Sequence, residues 1–201
     1  RYAADGRLQA LRQHIDALPA AQSARLAYWR GFCALDTRPA AALADMVLAR
    51  QACAAAGDVD GSLAAAAGAG VALVSTGRVA ELDPWIDLLT THAERALCAQ
   101  DDDTQMRLVP GLLSALVYRM PWHALTEPLA ERAERLLHHE SAAGQRQLMG
   151  ALVFHLLWRG HVDRLERIVL RIDALCLRGL AAPATMLRWW SVGTTVKTLL
   201  G

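Results

Sequence analysis

The chain has 201 residues, enough to bury a substantial core, and its 21 basic and 20 acidic residues leave a formal net charge of +1. That balance lacks the electrostatic footprint of a protein that binds nucleic acid or an anionic membrane. The longest uncharged run, Gly61 to Gly77, is Ala- and Gly-rich and too weakly hydrophobic for a membrane span, and no secretory signal heads the chain.

Tyr2 to Leu18 reads as an amphipathic helix with Leu8, Leu11, Ile15 and Leu18 along one side. Pro19 ends it, and Ala20 to Leu35 forms a more apolar helix around AYWRGFCAL. Pro39 suits the first turn of a third helix that closes at Gly57-Asp58. Ser62 to Thr76 is apolar all round and so must be enclosed, with Gly77 as its cap. Val79 to Cys98 is expected as one amphipathic helix. An aspartate of the 101–103 run caps a further apolar helix, Thr104 to Met120, which Pro121 breaks. Leu125 to His138 is amphipathic. From Leu148 to Trp158 nearly every residue is apolar, with only His155 interrupting. Arg159-Gly160-His161 fits a helix end with Gly in the left-handed cap position. Val162, Leu165, Ile168, Val169, Ile172 and Leu175 then make the stripe of a half-exposed helix, and Pro183 begins a last one. No run alternates Val, Ile and Thr as a strand would. The class is all-α.

A glycine sits inside each enclosed helix, at Gly31, Gly70, Gly111, Gly150 and Gly193, spaced 39, 41, 39 and 43 residues apart. Glycine costs roughly 0.8–1.0 kcal/mol against alanine inside a helix, so the repetition asks for a packing reason. Close approach of the two helices within each unit is the expected one. A period near forty residues with alternating enclosed and amphipathic helices is the pattern of an α-solenoid. The expected architecture is a right-handed array of about five helical hairpins.

On these features nearly the whole chain resembles the tetratricopeptide superfamily in its degenerate, lengthened forms. The glycine of that family's first helix matches, but the residues before it are Arg30, Ala69, Pro110, Met149 and Val192 instead of leucine. The aromatic expected three residues later is replaced by Ala34, Leu73, Ser114, Val153 and Val196. The fold implied by the resemblance survives these departures, whereas the family's peptide-carboxylate clamp does not carry over. The Ala/Arg-rich texture also resembles the helical-repeat sensor regions of large bacterial transcription regulators of the maltose-activator type. The chain starts at Arg1 and stops at KTLLG within a helical pattern, so residues 1–201 are expected to be one repeat domain cut from a longer cytoplasmic protein.

The candidate binding residues are aromatics near the enclosed helices and the arginines beside them. Tyr28, Tyr118, Trp122, Trp158, Trp189 and Trp190 are the residue types that anchor interfaces, and Arg30, Arg119 and Arg159 adjoin them. Inter-repeat core with snorkelling arginines is the alternative for each of them. His155 is more readily a hydrogen-bonded core or groove residue than a ligand. His138-His139-Glu140 lacks the spacing of a metal site, and Asp101-Asp102-Asp103 lacks the glycine and terminal glutamate of a calcium loop. Cys33, Cys53, Cys98 and Cys176 form no CxxC pair and are expected as buried free thiols of a reducing compartment. No nucleophile elbow, phosphate loop or acid on an apolar face marks a catalytic centre, and no cofactor is implied.

The expected function is therefore non-enzymatic recognition or scaffolding. A concave groove would take a peptide, a protein partner or a small effector, without direct nucleic-acid or membrane contact. Self-association into a homo-oligomer is the alternative, and an all-α enzyme with a site hidden in the sequence is the third.

Overall fold

The computed structural model describes residues 8–18, 26–138, 142–177, 190 and 193–198, and every regular element among them is helical. The helices are α1 (Leu8–Asp16), α2 (Ala27–Ala34), α3 (Pro39–Ala55), α4 (Val59–Ser75), α5 (Asp83–Thr91), α6 (Ala93–Cys98), α7 (Asp102–Arg119), α8 (Thr126–Leu136), α9 (Ala142–Arg159) and α10 (Val162–Leu177). A short 3-10 helix, Val79–Leu82, precedes α5. Among the described residues no helix is long and apolar enough to cross a membrane.

The single helix expected over Val79 to Cys98 is in fact three pieces. Pro84 sits in the first turn of α5, where its missing N–H is no loss, so the α-helix proper starts at Asp83. Thr90 and Thr91 are poor helix formers, and the Thr90 hydroxyl donates back to the Ile86 carbonyl at 2.8 Å. The chain breaks at His92 and restarts as α6. Elsewhere the expected glycine ends hold, although the helix expected from Ser62 begins at Val59 and the one around Gly150 begins at Ala142. Gly57, Gly77 and Gly160 all take φ near +70°, each closing a helix. At Gly77 the Arg78 N–H reaches the Leu73 carbonyl at 2.9 Å and the Gly77 N–H reaches Val74 at 3.1 Å, the Schellman pairing. Asp58 and Asp101 cap α4 and α7 by accepting from the Gly61 and Thr104 N–H groups at 2.8 and 2.7 Å. Of the expected last helix, residues 190 and 193–198 are described and helical, and the remainder lies outside the described residues.

Packing runs from neighbour to neighbour. α2 lies on α3, α3 on α4, α4 on α7, α7 on α8 and α9, and α9 on α10. Small residues decide how closely these helices approach. A Cβ at Gly31 would stand 3.0 Å from the Asp45 Cβ and 3.1 Å from the Ala42 carbonyl oxygen, so here glycine does admit the second helix of its own hairpin. Gly70 and Gly111 serve a different contact. A Cβ at Gly111 would fall 2.0 Å from the Ala67 carbonyl oxygen, and one at Gly70 would fall 3.2 Å from the Gly111 carbonyl oxygen. These two admit the backbone of the equivalent helix in the next hairpin. At Gly193 a Cβ would meet nothing within 4 Å among the described residues, so Gly31, Gly70, Gly111 and Gly193 do not share a single packing role.

The close crossing encloses the middle of α4, where every residue from Leu63 to Leu73 is buried. That stretch therefore offers no open face to a ligand. The first hairpin also reaches well beyond its neighbour. Asp36, just after α2, pairs with Arg146 of α9 across 110 positions of sequence, and both side chains are mostly buried. Arg107 of α7 stands 6.0 Å from the Trp29 ring centroid on α2. The cysteines depart from expectation in part. Cys33 is buried, and burial pushes its thiol up to about 11, but Cys53 is half-buried and Cys98, the last residue of α6, is exposed. The Cys176 side chain lies outside the described residues.

Gly111→Ala is expected to destabilise the chain by about 2–3 kcal/mol or more, because backbone and not a flexible side chain blocks the new methyl. Gly193→Ala should be neutral or stabilising by up to about 1 kcal/mol. Urea unfolding of the two variants checks this, and equal midpoints would remove the close-crossing explanation.

Candidate functional site

Three of the expected aromatics, Tyr118, Trp122 and Trp158, and one expected arginine, Arg159, come together where α7 and α9 end. Pro121 disfavours the helical region for the residue before it, so Met120 leaves helical geometry (φ −139°, ψ 58°) and α7 stops. The chain then doubles back through a turn, the His123 N–H reaching the Met120 carbonyl at 2.9 Å and the Thr126 N–H reaching the His123 carbonyl at 3.0 Å. The turn leaves Trp122 73% exposed and Met120 exposed beside it in sequence. On α9 the left-handed Gly160 ends the helix one residue after Arg159, with Trp158 also exposed in the last turn.

These side chains rest on an ordered base. The Tyr118 ring lies 5.4 Å from Phe154 and 5.9 Å from Trp158, and Phe154 lies 5.9 Å from Trp158. Centroid separations of this size are those of favourable aromatic pairs, worth about 0.5–1.5 kcal/mol each beyond burial. The Arg159 guanidinium covers the Trp122 indole at 4.4 Å. The result is a surface with apolar rings, a thioether and one cation, held by the ends of two neighbouring helices.

Beneath it lies a polar clasp. His155 is only 2% exposed, and its Nε2–H donates to Glu127 of α8 at 2.9 Å. Arg164 of α10 donates to the other Glu127 oxygen at 2.8 Å and to Glu134 at 2.8 Å. Three helices are thereby pinned by four side chains. Burial holds His155 below its ordinary value of 6.5, and the hydrogen bond to Glu127 opposes this without overcoming it. Burial would raise the Glu127 carboxyl, but the hydrogen bonds from Arg164 and His155 prevail and hold it low.

The remaining expected site residues go elsewhere. Tyr28 joins Trp29 and Phe32 in a second aromatic cluster on α2, with centroids 5.2 to 6.1 Å apart. Arg30 is closed by Asp45 at 2.6 and 2.9 Å, tying α2 to α3. Arg119 makes a two-pronged pair with Asp83 at 2.7 and 2.8 Å, tying α7 to α5. Each of these arginines is thus paired with an aspartate of another helix. Trp190 is exposed, and Trp189 lies outside the described residues. Met120 was missed by the sequence reading. The proline after it was the available signal, because it forces the helix to end and turns the next residues outward. Among the described residues no group of three or more His, Cys, Asp or Glu side chains is arranged to hold a metal ion.

The clasp makes a pH prediction. A histidine whose folded value is depressed contributes stability that is full above its unfolded value, about 6.5, and that is lost as pH falls through the folded value. Glu127 acts in the same direction lower down, below about 4.5. Thermal midpoints should therefore fall as pH is lowered from about 7 to about 5, with a shallower slope for His155→Gln. An unchanged slope in that variant would mean that His155 is not the source. No family model matches the chain, and no curated protein or solved structure matches it.

Proposed function

We propose that this chain is a non-enzymatic recognition module that binds a peptide segment of a protein partner on the surface formed by Met120, Trp122, Trp158 and Arg159. The observation that carries this reading is Trp122, 73% exposed and stacked under Arg159 at 4.4 Å. Trp and Arg dominate the residues whose loss costs most in interfaces, and they do so when held rigid next to apolar neighbours. Tyr118 and Phe154 supply that rigidity from behind. Arg159 has no acid partner among the described residues, which favours a segment carrying a carboxylate beside an apolar side chain.

The architecture proposed around this surface is a curved stack of hairpins of the α-solenoid kind. Neighbour-to-neighbour packing supports it, and the Asp36–Arg146 pair additionally joins the first hairpin to α9. The proposed partner surface is at the helix ends, a reading favoured by the burial of α4 from Leu63 to Leu73, which leaves that stretch no open face along the row. The setting that suits such a module is the regulatory part of a bacterial transcription or signalling regulator, a reading supported by the eroded helical repeat alone. Self-association is the second reading, because the same exposed apolar side chains could meet those of another copy.

A displayed random-peptide library selected on the whole chain tests the first reading. The expected winners carry an acidic residue next to an apolar one, and they bind the Trp122→Ala/Trp158→Ala variant at least about 10-fold more weakly. Trp122→Ala should leave stability within about 1 kcal/mol, whereas Trp158→Ala also loses its ring contacts with Tyr118 and Phe154 and should cost about 1–3 kcal/mol. Peptides that bind both proteins equally would place recognition elsewhere. Failure to select any peptide, with a dimer in sedimentation that the double variant abolishes, would favour self-association.

A further inference from the structure

A second candidate site lies between α3 and α5. Between the C-terminal half of α3 and the start of α5 is an open groove of about 600 Å³, lined by Arg50, Ala80, Glu81, Asp83, Pro84 and Trp85. Its volume is that of a small-molecule site, which typically spans about 300–1,000 Å³. Trp85 is half-buried and Pro84 exposed, so the groove offers a flat apolar wall.

The charges in the groove are unequal in a way that selects a ligand. Glu81 is closed by both prongs of Arg78 at 2.6 Å, and Asp83 by both prongs of Arg119 at 2.7 and 2.8 Å. Arg50 has no such counter-charge among the described residues. Its guanidinium sits 5.2 Å from the Trp85 ring centroid. A guanidinium with no counter-charge is best complemented by a carboxylate, whose two oxygens match its fork of N–H donors. A doubly charged phosphate would suit the site less well, since the Glu81 and Asp83 carboxylates line the same groove.

We infer that this groove binds a small organic monocarboxylate with a flat apolar body, the carboxylate on Arg50 and the body against Trp85 and Pro84. The site is separate from the Trp122 surface and does not depend on the peptide-recognition reading.

The test uses the whole chain, ¹⁵N-labelled, with phenylacetate as the probe and phenylacetamide as its uncharged counterpart. The indole N–H resonance of Trp85, identified by its absence in Trp85→Phe, reports occupancy. Phenylacetate should shift that resonance saturably with a millimolar or tighter dissociation constant. Phenylacetamide should bind at least about 10-fold more weakly, and Arg50→Gln should lose at least about 10-fold for phenylacetate. The inference is overturned if phenylacetate gives no saturable shift, if the amide binds as well as the acid, or if a folded Arg50→Gln protein binds unchanged. Should that variant not fold, the acid–amide comparison on the natural sequence decides alone.

Discussion

The close crossing of α4 and α7 is the contact on which the remaining geometry depends. It exists because Ala67, Gly70 and Gly111 have almost no side chain, so the Ala67 carbonyl can lie where any Cβ on Gly111 would have to be. Alanine-rich α4 is thereby enclosed from Leu63 to Leu73, and the helices on either side are drawn around it. α7 in turn carries α9 on another face. This places the end of α7 beside the end of α9, so that Tyr118 meets Phe154 and Trp158. A bulkier crossing would separate α4 from α7 and disturb the row that holds these ends together. Small residues at the centre thus determine where large ones appear at the edge.

Arginines do most of the lateral tying. Arg30 joins α2 to α3, Arg119 joins α7 to α5, Arg164 joins α10 to α8, and Arg146 reaches Asp36 across the first hairpin. Arg132 and Arg171 donate to the backbone carbonyls of Leu97 and Leu137. The planar guanidinium suits these roles because two donors can engage one carboxylate at fixed geometry. The exposed pairs, such as Arg119–Asp83, contribute about 0–1 kcal/mol each, whereas the half-buried ones are more costly to break than their formation suggests. Arg50 and Arg159 each lie over a tryptophan and lack an acid partner among the described residues, and the two proposed sites rest on that observation.

Local features of this fold were legible in the sequence because they depend on adjacent residues. The all-helical class, the helix-closing Gly57, Gly77 and Gly160, and the aspartate cap at Asp101 all follow from short-range chemistry, whereas the Asp58 cap was not anticipated. Trp122 after Pro121 and Trp158 before Gly160 could be placed at helix ends for the same reason. Long-range pairing was not legible. Nothing near Arg30 or Arg119 announces that Asp45 and Asp83 will consume them, and Asp36 is 110 positions from Arg146. The glycine repeat was visible, but which helix each glycine admits depends on packing direction. The Arg50–Trp85 groove was missed for that reason too, since its two sides come from different hairpins.

Native-state hydrogen exchange is the most direct measurement of the central crossing. If the α4–α7 contact organises the chain, the amides of residues 67–73 and 109–113 (apart from Pro110) should be the slowest to exchange, opening only with global unfolding. Those of α1, at the edge of the packing, should exchange faster. Protection in α4 and α7 no greater than in α1 would contradict the account, because the row and the aromatic surface at its edge would then have some other foundation.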